Sequence, residues 1–285
     1  MQKNYSAKID DYIGKMPSLP VSISKVLEVC DNMNVSPADL NYVISLDPVL
    51  VGRVLKLLNS AYYGLNQRVT NLVRAIIMLG INTVKNLALS SAILGTLPVN
   101  KNPKGINIEG FWRHSLCVGV TAKLLAKKRG IDSKFHEEYF TAGLLHDIGK
   151  IAINAVLADD YLLTVSSADR DKIPLLKAED KDLGFNHCTI GQKIASSWKL
   201  GGPVEDAIIY HHDMNYTGNY ADILRCIMLA NYFAAINEMG FAGNRNPEKP
   251  APQIWDSLGI TEKIFTEIES VVNEEIDKAK IFLKI

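Results

Sequence analysis

The chain lacks the features that would send it to a membrane, to the cell exterior or onto nucleic acid in general. Its four cysteines, Cys30, Cys117, Cys188 and Cys226, have no paired spacing. They therefore suggest reduced core thiols in a cytoplasmic protein rather than a disulfide framework. The formal net charge is zero, 31 basic against 31 acidic residues, so the broad basic footprint of a general nucleic-acid binder is missing. The N-terminal stretch MQKNYSAKIDDYIGK has no apolar core of a secretory leader, and the most apolar run, Leu87 to Leu97, is too short to cross a bilayer. No convincing apolar/polar alternation marks a strand.

What the chain does have is helical patterning and enough apolar material, 47% of residues, for a sizeable core. An all-α protein follows. Pro17 and Pro20 precede a helical run from Ile23 to Cys30, and Ser36-Pro37-Ala38-Asp39 supplies a cap, a first-turn proline and an acid. Asp47-Pro48 repeats that start before VLVGRVLKLLNS, where Val51, Val54, Leu55 and Leu58 form one stripe and Gly64 is the expected stop. LVRAIIMLG and NTVKNLALSSAIL follow, apolar around most of their circumference. No acidic residue occurs between Asp47 and Glu109, whereas Arg53, Lys56, Arg68, Arg74, Lys85, Lys101 and Lys104 are basic. These are either solvated faces of packed helices or a local surface for an acidic partner.

The Pro-, Gly- and Asn-rich segment from Pro98 to Gly110 reads as a boundary, which gives a first helical lobe over residues 1–100 and a second over 111–245. After AGNRNPEKPAP, residues 253–285 read as an amphipathic helix with Ile264, Ile268, Val271, Val272 and Ile276 on one stripe, packing on the body or forming a homodimer contact.

The second lobe is organised around EEYFTAGLLHDIGKIAI, Glu137 to Ile153. On one continuous helix, His146, Asp147 and Lys150 would line one cavity. Five of the six histidines, His114, His146, His187, His211 and His212, sit where flanking apolar residues turn them inward. Each buried imidazole needs a partner, and a shared metal would satisfy several at once. Mixed imidazole and carboxylate ligands suit Fe, Mn, Ni or Zn. Cys117 and Cys188, near His114 and His187, are weaker ligand candidates.

His114 and the His146-Asp147 pair within GLLHDIGK resemble the HD superfamily of metal-dependent phosphohydrolases. Glu179, Gly184, His187, Gly191, Trp198, Pro203 and His211-His212 are similar to the region shared by HD-GYP and HDOD domains. Leu19-Pro20, LDPVL around Asp47-Pro48, RVLKLLNSAYYG from Arg53 to Gly64 and AIIMLG from Ala75 to Gly80 resemble the HDOD family, over residues 16 to 240. The resemblance implies two all-helical lobes, the second an HD-like bundle. It also implies one or two divalent metal ions held by His114, His146, Asp147, His187, His211 and His212.

The sequence departs from the enzyme pattern at three places. Asn231 stands where an HD enzyme closes its metal site with aspartate, and Gly110 stands where HD-GYP sites carry a glutamate. DMNYTGNYAD replaces the DG-x-GYP loop after His212. Two readings follow. One is a non-catalytic bacterial signal-transduction module acting on another signalling protein, with a degenerate metal site. The other is a phosphohydrolase acting on a nucleotide or cyclic dinucleotide, with Asp147 and Lys150 as its catalytic pair.

Overall fold

The computed structural model describes residues 5–32, 34–97 and 105–284. They form α1 (Tyr5–Lys15), α2 (Val21–Cys30), α3 (Pro37–Ser45), α4 (Pro48–Leu58), α5 (Leu72–Leu79), α6 (Ile81–Thr96), α7 (Ile108–Lys128) and α8 (His136–Leu145). The chain continues through α9 (Ile148–Val156), α10 (Ala158–Asp171), α11 (Leu175–Leu183), α12 (His187–Ser197), α13 (Gly202–Tyr210), α14 (Ala221–Ile236), α15 (Pro252–Leu258) and α16 (Lys263–Ala279). Two 3₁₀ turns, Ser133–Phe135 and Lys280–Lys284, complete them, and no strand occurs among the described residues.

Local chemistry sets the starts of the early helices. Ser36 Oγ accepts the Asp39 amide at 3.2 Å while the Asp39 carboxylate accepts the Ser36 amide at 2.9 Å, closing a capping box ahead of α3. Asp47 Oδ1 accepts the Leu50 amide at 3.0 Å and opens α4. The expected stop at Gly64 differs from the structure: α4 ends at Leu58. There the Asn59 side chain donates to the Val69 carbonyl at 2.8 Å and accepts the Val69 amide at 2.7 Å, turning the chain early.

α2 to α6 pack on one another as a first group of helices, while α1 lies against α9 and α12. The contact is fixed by Lys193 Nζ donating to Asp10 at 2.5 Å and Trp198 Nε1 donating to the Pro17 carbonyl at 3.1 Å. The boundary segment lies outside the described residues from Pro98 to Lys104, together with Lys101 and Lys104, and α7 begins at Ile108 within it.

α7 runs through the centre of the second group, against α8, α14 and α16. It meets α8 backbone to backbone: a Cβ on Gly143 would sit 2.9 Å from the Gly119 Cα. α16 buries Ile264, Ile268, Val272 and Ile276 on the body, whereas Val271 stays 42% exposed, one step off that stripe. After it, Phe282 inserts between Tyr62 and Phe140, ring centroids 5.4 and 4.8 Å away. No single helix among the described residues is long and apolar enough to cross a membrane.

Candidate metal centre

The continuous helix expected over Glu137–Ile153 is broken at the His146-Asp147 pair. α8 ends at Leu145 and α9 starts at Ile148. Periodicity runs unbroken through this stretch, so the break is a tertiary effect. α9 must turn to meet α12, where Gly149 approaches the His187 carbonyl so closely that a Cβ would lie 2.0 Å from it. The break leaves His146 and Asp147 buried at the centre of the second lobe, 1% and 0% exposed.

Asp147 is the hub. Its Oδ2 accepts Lys150 Nζ at 2.7 Å and lies 3.3 Å from His146 Nε2 and 3.9 Å from His114 Nε2. Its Oδ1 lies 3.4 Å from His187 Nε2 and 3.5 Å from His211 Nε2. The carboxylate thus divides the cluster in two, with His114, His146 and Lys150 on one oxygen and His187 and His211 on the other.

The outer nitrogens fix the tautomers. His146 Nδ1 donates to the Gly143 carbonyl and His211 Nδ1 to the Ala207 carbonyl, both at 2.7 Å. A carbonyl only accepts, so each ring carries its proton on Nδ1 and turns Nε2 inward. His187 Nδ1 donates to Glu179 Oε2 at 2.5 Å; that carboxylate also accepts the His187 amide at 2.9 Å and the Tyr161 hydroxyl at 2.6 Å. A carboxylate or carbonyl behind an imidazole, orienting its far nitrogen, is the usual outer support of a metal-binding histidine.

Charge follows this geometry. Burial opposes ionisation of Asp147, yet His146 and Lys150 hold its carboxyl well below the usual range. Burial also opposes protonation of His187, but Glu179 outweighs it and pushes the imidazole up to about 10. His211, disfavoured by burial but facing Cys188 and Asp147, rises to about 9. His187 Nε2 and His211 Nε2 are 3.3 Å apart, which demands a cation between them, either a proton or a metal ion. His114 goes the other way: burial lowers it to about 3.

The residues fit a metal on one side of the hub better than on the other. Asp147 Oδ1 is buried without a hydrogen-bond partner, and with His187 Nε2 and His211 Nε2 it forms a donor set for one borderline transition metal; His146 Nε2, also unpartnered, borders this set from the Oδ2 side. On the Oδ2 side the Lys150 ammonium already neutralises the oxygen. There His114 Nε2 is engaged by Asn231 Oδ1 at 3.0 Å. Asn231 therefore stands where the sequence places it, as a neutral partner of His114.

His212, also expected as a ligand, stacks on the rings of His211 and His187 at 4.3 and 5.1 Å between centroids. Among the described residues none of its nitrogens forms a hydrogen bond or ion pair. Cys117 turns away to Thr121 at 3.8 Å, and Cys188 lies 4.0 Å from His211 Nδ1, on the outer side of that ring. His136 donates locally to the Ile131 carbonyl at 2.8 Å.

The segment after α14 covers the mouth. Phe241 N donates to the Gly110 carbonyl at 2.9 Å, Asn244 Oδ1 accepts the Leu175 amide at 3.3 Å, and Arg245 pairs with Asp169 at 2.9 Å. The opening left among His211, His212, Asn231, Tyr232 and Asn244 is about 30 Å³, room for a water molecule or two.

Tyr161 was missed by sequence reasoning, and nothing in its surroundings could have flagged it. Glu179 was noticed only as part of a pattern, not as the support of His187. Glu179→Gln removes a buried charge behind that ring. Metal affinity, measured by chelator competition, is expected to fall about 10–100-fold; an unchanged affinity would show that His187 does not bind metal.

An all-helical body closed around a His-Asp pair, with further histidines delivered from α7, α12 and the end of α13, defines a protein of the HD class. The model of the HDOD domain matches residues 16–214, and the chain belongs to that family. An HDOD domain protein of unknown function from Geobacter sulfurreducens is similar at 25% identity, with a TM-score of 0.73 and 96% of each chain covered. A protein from Shewanella amazonensis SB2B, provisionally named a phosphohydrolase, is also 25% identical, with a TM-score of 0.70, 97% of this chain and 98% of that chain covered. An uncharacterised protein of Treponema pallidum (strain Nichols) is 28% identical over 229 residues, 79% of this chain; the chain spans 43% of that relative's length.

Proposed function

We propose that the protein is a non-catalytic bacterial signal-transduction module that acts by binding another signalling protein, and that its histidine cluster holds one divalent metal ion as a structural group. The carrying observation is the state of the Oδ2 side of Asp147. Lys150 sits on that oxygen at 2.7 Å and Asn231 occupies His114 Nε2 at 3.0 Å. A second metal there would meet a resident cation and a neutral amide instead of a closing carboxylate. The cover over the mouth supports the same reading, since an opening of about 30 Å³ does not admit a nucleotide.

A bound metal would supply a positive charge shared by Asp147, His187, His211 and His146, tying together the α8–α9 break, α12 and the end of α13. The Nδ1–H bonds to Gly143, Ala207 and Glu179 keep those rings aimed inward.

One observation favours the phosphohydrolase reading: the orphaned Asp147 Oδ1 and His146 Nε2, whose donor set could bind a metal capable of polarising a phosphoryl oxygen. Protein purified without a histidine tag and soaked in Mn or Fe separates the two. We expect about one metal per chain in the wild type, and no turnover of a generic phosphodiester in either the wild type or His146→Ala. Asn231→Asp is expected to raise the stoichiometry. Wild-type turnover that disappears in His146→Ala overturns the non-catalytic reading.

A further inference from the structure

We propose that the first lobe carries a separate binding site for a nucleotide-sized phosphorylated molecule, in the groove between α4 and the segment 64–71. The groove has a volume of about 730 Å³ and is lined by Leu55, Lys56, Asn59, Leu65, Arg68 and Val69. A second groove of about 430 Å³ continues on the far side of the same segment, sharing Arg68 and adding Arg74. Both volumes lie in the range of small-ligand sites.

The charge of this region is unbalanced. From residue 48 to 108 the sequence has no aspartate or glutamate. Arg68 and Arg74 are exposed and have no carboxylate partner among the described residues. Lys56 Nζ donates to the Lys284 carbonyl at 2.7 Å, a neutral acceptor, and has no carboxylate partner among the described residues. Lys56 and Arg68 thus line the first groove, and Arg68 and Arg74 the second. Guanidinium groups left unpaired in this way match the oxygens of a phosphate bidentately.

The walls are preformed. Asn59 clamps Val69 through both amide and carbonyl, at 2.7 and 2.8 Å, and donates to the Leu55 carbonyl at 2.8 Å. Asn71 Oδ1 accepts the Arg74 amide at 3.0 Å and fixes the far end of the segment. This gives the Asn59 of RVLKLLNSAYYG a role that the metal centre leaves unexplained. A groove held this way orders little on binding. Leu55, Leu65 and Val69 offer an apolar wall for a base, and the arginines and Lys56 offer donors for the phosphates. At the Arg68–Arg74 end Asn66, Gln67, Thr70 and Asn71 add polar groups beside Leu65, Val69 and Met78.

Isothermal titration with ATP and with tripolyphosphate, in EDTA and at low salt, tests the site. Wild type is compared with the exposed-site double variant Arg68→Gln/Arg74→Gln and with His212→Ala, a change at the metal centre and outside both grooves. The expected result is saturable one-to-one binding that weakens about tenfold or more in the double variant, falls with added salt, and is unchanged in His212→Ala. The proposal is overturned by an absence of saturable binding for both probes or by undiminished binding in the double variant. It is equally overturned by loss in His212→Ala, which would place the anion at the metal centre, or by a polyglutamate peptide that displaces ATP at equal concentration, which would assign the groove to a carboxylate-rich protein.

Discussion

Replacing Asp147 by asparagine is expected to destabilise the metal-free protein by about 3–5 kcal/mol, the range for removing one partner of a buried ion pair. Asp147 has no exposed surface, and Lys150, 3% exposed, has its only acceptor among the described residues in Asp147 Oδ2 at 2.7 Å. The variant leaves the ammonium buried without a counter-charge and removes the negative charge facing His187 and His211 as well. The double substitution Asp147→Asn/Lys150→Met removes the stranded cation along with its partner and is expected to recover a large part of the loss. Urea unfolding at neutral pH with a chelator present reads both. A loss below about 1 kcal/mol for the single variant would mean that the pair is not charged in the folded protein. The same variant is expected to abolish metal retention.

Gly149→Ala is expected to cost about 3 kcal/mol, at the upper end for overpacking, because the obstacle is backbone rather than a flexible side chain. Its Cβ would lie 2.0 Å from the His187 carbonyl and 2.7 Å from the Gly191 amide. Relief requires α12 to slide away from α9, carrying His187 from Asp147. Metal affinity should therefore fall with stability. Gly52→Ala is the matched control: it too is a helical glycine, on α4, but a Cβ there meets nothing within 4 Å, so a gain of about 0.5–1 kcal/mol is expected. Equal stability of the two variants in chemical denaturation would refute the close contact of α9 with α12.

Features set by neighbouring residues were legible in the sequence. Ser36-Pro37 and Asp47-Pro48 start helices where their side-chain oxygens dictate, and the broadly apolar Ile81–Thr96 helix is largely enclosed, whereas Leu72–Leu79, equally apolar, leaves Ile77 and Met78 exposed. The inward-facing histidines were legible too, because no single core explanation accommodates so many imidazoles. Features set across distance were not. The early end of α4 depends on Asn59 reaching ten residues forward to Val69, and the break at His146-Asp147 depends on α12, forty residues later. Glu179 and Tyr161 lie behind His187 from α11 and α10, a three-body arrangement that no periodicity encodes.

The position of α1 adds a mechanical element. This helix precedes the first group of helices in the chain yet rests on α9 and α12, the two helices that carry Lys150 and His187. Only residues 16–20 separate it from α2. The first group is therefore tethered to the outer wall of the metal centre by a leash five residues long, anchored by Trp198 on Pro17. The same group is also held directly, by α6 packing on α8 and by Asn82 donating to the Lys134 carbonyl at 3.0 Å.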